Sequence, residues 1–187
     1  MIFCAMFRRC KQVSWDDSTA GAENSGIPCI CSTLGISPTS GAGAREHGGR
    51  LNRVGVDALY LSLEEQTALA EYKQLSALMP PGLIVSYSVS VTHIVDFRAG
   101  YHSKWDSLWQ ELNCDWRKYW FNRRIEPPSW LLGDMALEQG AKGILFPSLA
   151  HASGTNLFLY TEMLTESDSL EVYDPKGDLP RDARSWQ

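Results

Sequence analysis

Residues 83–91 read LIVSYSVSV, with Val85, Tyr87, Val89 and Val91 alternating with Ser86, Ser88 and Ser90. A period of two sends neighbouring side chains to opposite faces, so this stretch predicts one half-exposed strand. Just upstream the period lengthens. Ala68, Leu69, Tyr72, Leu75 and Met79 recur at helical spacing and predict a buried stripe on a helix from Ser62 to about Met79. Ser62 and Glu65 have the spacing of a capping box at its start, and Pro80-Pro81-Gly82 stops it. Short apolar runs predict strands at 58–61 (ALYL), 143–147 (GILFP), 156–160 (NLFLY) and 170–174 (LEVYD). A second helix is expected after Pro127-Pro128, with Ser129 as N-cap and an end near Gly140.

Between the two helices the chain is rich in tryptophan and basic residues. Trp105, Trp109, Trp116 and Trp120 are expected to pack helices, with Arg117, Lys118, Arg123 and Arg124 in or near a surface loop. Residues 37–53 (SPTSGAGAREHGGRLNR) hold four glycines and no apolar period, which predicts a loop. Residues 1–37 carry clustered cysteines and no sustained period, and are set apart as an atypical N-terminal segment. The mixed order of strands and helices predicts an α+β fold around a largely antiparallel sheet flanked by helices.

Composition narrows the function classes. Of 187 residues, 44% are apolar and 21% charged, which is globular rather than disordered. A net charge of −5 argues against a footprint on nucleic acid. No apolar run approaches the roughly 18 to 20 residues of a membrane span. In MIFCAMFRRCKQ the charges follow the apolar stretch, the reverse of a signal peptide, so a cytoplasmic location is expected. Cys4, Cys10, Cys29, Cys31 and Cys114 are odd in number and lack paired metal-ligand spacing, which disfavours both a disulfide framework and a zinc site.

Glu71 lies beside the apolar stripe of the first helix, where a carboxylate is costly unless it is paired, used in chemistry, or snorkelling to solvent. Arg45 and Arg50 sit among glycines, a setting that suits phosphate oxygens and equally an ordinary surface loop. Neither a Rossmann fingerprint nor a P-loop is present. Tyr60 ends a strand and offers a face either to the core or to a flat ring. Ser148 follows Pro147 at a strand end, as a turn residue or a donor to a ligand, and no nucleophile elbow surrounds it.

Taken together these segments resemble the RES-domain toxins. The resemblance rests on Ser40-Gly41-Ala42-Gly43-Ala44-Arg45, Gly48-Gly49-Arg50-Leu51-Asn52, Ala58-Leu59-Tyr60-Leu61 and Thr67-Ala68-Leu69-Ala70-Glu71, followed by the closing stretch Gly143 to Tyr160 with its Pro-Ser and Asn-led strand. It divides the chain into the segment 1–37 and a RES domain at 38–187. The likeness implies a fold similar to ADP-ribosyltransferases and NAD⁺ as substrate. It also implies a cognate antitoxin partner, while the acidic charge and the lack of a long apolar run leave no direct role for nucleic acid or membrane. Cleavage of the nicotinamide–ribose bond is the implied reaction, with transfer of ADP-ribose to a protein, phosphoribosyl-pyrophosphate synthetase in ParT-like members. Hydrolysis or phosphorolysis that depletes NAD⁺ is the alternative. Glu71 and Arg50 fall on the catalytic positions, and Arg50, Tyr60, Ser148 and Arg45 on cofactor-binding ones, with no metal. The family's arginine on a strand upstream of Arg50 has no counterpart in GIPCICSTLGIS, residues 26–37, which leaves room for a non-catalytic module with a degenerate site.

Overall fold

The computed structural model describes residues 4–5, 29–31, 38–73, 83–177 and 179. The first strands are β1 (Cys4–Ala5) and β2 (Cys29–Cys31), followed by helix α1 (Ala42–His47), strand β3 (Ala58–Ser62) and helix α2 (Glu65–Lys73). Next come β4 (Leu83–Val85), β5 (Tyr87–Ser90) and β6 (Ile94–Asp96), a 3₁₀ segment (Ser107–Asn113) and a π-helical turn (Lys118–Arg123). Helix α3 (Pro128–Glu138), β7 (Gly143–Pro147), β8 (Thr155–Tyr160) and β9 (Ser169–Val172) complete the order.

The central sheet runs β3-β8-β7-β6, antiparallel except where β6 lies parallel to β7. The mixed, largely antiparallel sheet expected from the sequence is therefore present. One face packs on Leu59, Leu61, Ala68, Tyr87 and Leu157. The other packs on Val95, Leu112, Leu132, Ile144 and Phe158. Phe97, Trp105 and Trp109 pack on one another at centroid separations of 4.8–5.2 Å, and Trp120 packs on Trp130 at 4.8 Å, so the tryptophans pack as expected. Trp109 does so from the 3₁₀ segment and Trp120 from the π-helical turn, with Trp105 in the loop before them. Among the described residues no helix is long and apolar enough to cross a membrane.

Four local expectations need correction. Residues 37–53 are not all loop: AGAREH forms α1, because alanine, glutamate and arginine favour helix once Gly41 has turned the chain at φ 63°. A side chain at Gly41 would collide with the backbone of Ala58, so this glycine also permits close packing on β3. Ser62 does not cap α2. It is the last residue of β3, and its hydroxyl donates to Asn156 Oδ1 at 2.7 Å, while α2 begins at Glu65. The alternation over 83–91 does bury Val85, Tyr87, Val89 and Val91, but the stretch is two strands: β4 pairs with β2 and β5 with β9. Ser129 is not the cap of α3 either. Pro127 holds that place with Pro128 at the first helical position, and Ser129 donates to the Arg50 carbonyl at 2.6 Å. The continuation of α2 towards Met79 lies outside the described residues.

Candidate active site

Strands β3 and β8 pair so that Ser62 lies opposite Asn156 at one end and Ala58 opposite Tyr160 at the other. Helix α2 follows β3 directly and carries Glu71, half-buried, back over the Ser62–Asn156 end. There Glu71 Oε1 accepts the Ser148 hydroxyl at 2.7 Å and the Asn156 amide at 2.7 Å. Asn156 is itself held by Ser62, and the Ser148 oxygen accepts the backbone N–H groups of Ala150 and His151, each at 3.1 Å. The carboxylate is thus oriented by neutral donors whose own positions are fixed. Ser148, expected to bond the cofactor, spends its one proton on Glu71 in this arrangement.

The glycine-rich segment is a packed turn. Tyr60 Oη accepts the Leu51 N–H at 2.8 Å and donates to Asn52 Oδ1 at 2.8 Å. Trp130 Nε1 donates to the Gly49 carbonyl at 2.7 Å. A side chain at Gly49 would overlap the Tyr60 hydroxyl, and one at Gly133 would overlap the Leu51 carbonyl. The glycines here allow close approach of protein to protein, and the turn is rigid as a result. Burial pushes the Tyr60 phenol well above the usual range, against the opposing pull of its backbone hydrogen bonds and of Arg50 and Arg117. One side of the Tyr60 ring packs on Phe158 at 5.0 Å, and the residue is half-buried.

The turn's arginines divide. Arg45 donates to Asp57 at 2.6 Å and to Glu162 at 3.5 Å, and is largely exposed. Asp57 and Glu162 flank the Ala58–Tyr160 end of the ladder, about 14 Å along the strands from the Glu71 end at ~3.4 Å per residue. Arg45 is therefore not brought together with Glu71. Arg53 pairs with Glu126 at 2.5 Å and Asp134 at 2.8 Å. Arg50 forms no ion pair among the described residues; its Nη1 donates to the carbonyls of Leu112 at 2.8 Å and Cys114 at 3.0 Å.

Arg50 thereby clamps the segment that delivers Arg117, a residue the sequence reading left in a surface loop. Arg117 is half-buried, with its guanidinium 4.5 Å from the Trp116 ring centroid. Burial lowers its pKa first and the neighbouring Arg50 charge second, while Glu71, Asp115 and Tyr60 oppose the shift. Two guanidinium groups close enough to repel, with no carboxylate paired to either among the described residues, make a setting that an anion would stabilise. Thr67, one turn before Glu71 on α2, donates to Glu64 Oε2 at 2.6 Å and contacts His151 Nδ1 at 2.9 Å. Glu64 Oε2 also accepts the Thr155 N–H at 2.9 Å.

Asn156, Arg117 and His151 are thus the polar residues near Glu71 that sequence reasoning did not select. A polar residue leading an otherwise apolar strand was a usable signal for Asn156. Arg117 gave none, being one cation among four in its stretch.

No curated protein sequence matches the chain. Among solved structures it is similar to a chain in the crystal structure of the M. tuberculosis MbcT–MbcA toxin–antitoxin complex, with a TM-score of 0.52 and 18% identity over 82% of this chain and 83% of that one. That likeness is one of fold and agrees with the α+β architecture. The model of the RES domain matches residues 32–182, most of the sequence, and the protein therefore belongs to the RES-domain family.

Proposed function

We propose that the chain is the toxin of a toxin–antitoxin pair, and that it breaks the nicotinamide–ribose bond of NAD⁺ at the Ser62–Asn156 end of the β3–β8 ladder. The observation that carries this reading is the Glu71 carboxylate, half-buried and bonded by Ser148 and Asn156, with the Arg117 guanidinium lying within reach of both its charge and that of Arg50. Loss of nicotinamide leaves positive charge on the ribose in an oxocarbenium-like state. A carboxylate already aimed at that charge stabilises it without reorganising. Arg50 and Arg117 neutralise the pyrophosphate, and the exposed part of the Tyr60 ring packs on the substrate. Arg117 supplies the second guanidinium that the family pattern places upstream and that residues 26–37 lack.

The ADP-ribose passes to a protein acceptor, as in ParT-like relatives, with phosphoribosyl-pyrophosphate synthetase the target that the resemblance implies; transfer to water or phosphate is the alternative. The partner is a cognate antitoxin, by likeness to the complex that contains MbcT. The test is NAD⁺ consumption by the wild type beside Glu71→Gln. The variant keeps the hydrogen-bonding shape and loses the charge, so the rate should fall about a hundredfold or more. Undiminished consumption refutes the assignment. Labelled NAD⁺ in lysate separates the acceptors, since labelled protein bands mean transfer and free ADP-ribose means hydrolysis.

A further inference from the structure

The Glu64–Thr67–His151 chain is unused by the reading above, and its hydrogen bonds determine where its protons sit. A threonine hydroxyl has one proton, and Thr67 gives it to Glu64 at 2.6 Å. Towards His151 Nδ1, 2.9 Å away, the same oxygen can only accept. His151 therefore carries its proton on Nδ1 and presents a lone pair at Nε2, which has no hydrogen-bond partner among the described residues. Glu64 is fixed in turn by the Thr155 N–H at 2.9 Å. Gly154 has no room for a side chain against Thr67 and His151, so the loop closes tightly over this contact. A carboxylate, a hydroxyl and an imidazole in series set a tautomer, as an acid behind a catalytic histidine does.

The chain also sits in the right place. Thr67 and Glu71 are one turn apart on the same face of α2, roughly 6 Å between β-carbons. His151 and Ser148 belong to one turn, with the His151 N–H donating to Ser148 Oγ at 3.1 Å. The half-buried imidazole therefore lies on the Glu71 side of the site, linked to it through Ser148 and Thr67, with Glu71 on α2 and Glu64 just before that helix as its acidic neighbours.

Resting on the NAD⁺ reading, we propose that His151 is the proton acceptor for a neutral hydroxyl that attacks the ribose, water in the purified protein. The C1′–N1 bond breaks and its electron pair leaves with nicotinamide, released neutral. The water oxygen bonds to C1′, and its proton passes to His151 Nε2, which later returns it to solvent. The two functions are then divided: Glu71 meets the developing positive charge, and His151 takes the proton of the incoming group.

The experiment follows release of ADP-ribose and nicotinamide in phosphate-free buffer by wild type, His151→Ala, Thr67→Val and Glu71→Gln, with Tm measured for each. His151→Ala should lose about a hundredfold in kcat with KM little changed. Added imidazole should restore part of that rate in a saturable way, which a merely structural histidine would not show. Thr67→Val keeps the shape and frees the tautomer, so it should lose less, and it provides the test if the alanine variant does not fold. Wild-type speed in His151→Ala, a loss that imidazole leaves untouched, or wild-type speed in Thr67→Val overturns the proposal. A wild type that consumes NAD⁺ but releases no free ADP-ribose also overturns it. A wild type that leaves NAD⁺ intact, or an unimpaired Glu71→Gln, removes the underlying reading; an active wild type with a dead Glu71→Gln and a fast His151→Ala removes only the role of the histidine.

Discussion

At the Ala58–Tyr160 end of the β3–β8 ladder, Arg45 meets Asp57 at 2.6 Å and Glu162 at 3.5 Å in largely open solvent. At the Ser62–Asn156 end, Glu71 receives hydrogen bonds from the neutral Ser148 and Asn156, and the half-buried Arg117 guanidinium feels the attraction of Glu71 and the repulsion of Arg50. The first end is a finished surface, since its charges cancel locally and contribute little beyond solubility. The second holds like charges together at a cost to the folded chain. Strain of this kind persists where something else offsets it, and a bound dianion would. The same glycine-rich stretch supplies Arg45 to the first end and Arg50 as a neighbour of Arg117, so the difference lies in what the fold places opposite each one.

That contrast can be tested from its strongest point outwards. Arg50→Ala should have the largest effect, because Arg50 is the proposed phosphate ligand and also holds the carbonyls of Leu112 and Cys114. Losing hydrogen bonds to a charged donor costs about 1.5–3 kcal/mol, so Tm should drop and NAD⁺ affinity should fall at least about tenfold. Calorimetry and thermal melting measure both. A variant that melts lower but binds NAD⁺ as before would leave Arg50 a purely structural clamp. Arg117→Met should separate the two quantities. Methionine keeps an apolar stem against Trp116 and removes a charge that burial and Arg50 disfavour. Because a depressed arginine pKa means that the folded state disfavours the cation, Tm should hold or rise while NAD⁺ affinity falls about tenfold. A fall in Tm with unchanged affinity would show that the like charges are not held for a ligand.

How far the sequence led is clearest in the same residues. Glu71, Arg50, Tyr60 and Ser148 could be singled out because they fall inside ordered motif blocks, and the strands β7, β8 and β9 were legible because short apolar runs survive in any context. The turn 48–52 was misjudged because glycine looks the same whether it frees the backbone or lets Tyr60, Trp130 and Gly133 press against it. Ser62 and Ser129 matched capping patterns, yet each hydroxyl found a tertiary partner, Asn156 and the Arg50 carbonyl. Local rules lose when a distant acceptor is buried nearby. Arg117 was beyond reach for a different reason. Its place depends on Arg50 fixing the backbone at Leu112 and Cys114, a contact between segments more than sixty residues apart.

Arg45→Ala should do least, and for that reason it tests the comparison most directly. The motif block Ser40 to Arg45 gives this arginine a second claim on phosphate beside Arg50, while the geometry puts it at the end of the ladder away from Glu71, among carboxylates. An exposed pair contributes about 0–1 kcal/mol, and Asp57, half-buried, stays within reach of water. Tm should shift by no more than a few degrees, and NAD⁺ affinity and turnover should stay within about twofold of wild type, a change near 0.4 kcal/mol. A tenfold loss of affinity would mean that the phosphates reach along β3 to the Ala58 end, displacing Asp57 and Glu162 from Arg45. The contrast between the two ends would then describe only the empty protein, and the substrate would have to span the whole ladder.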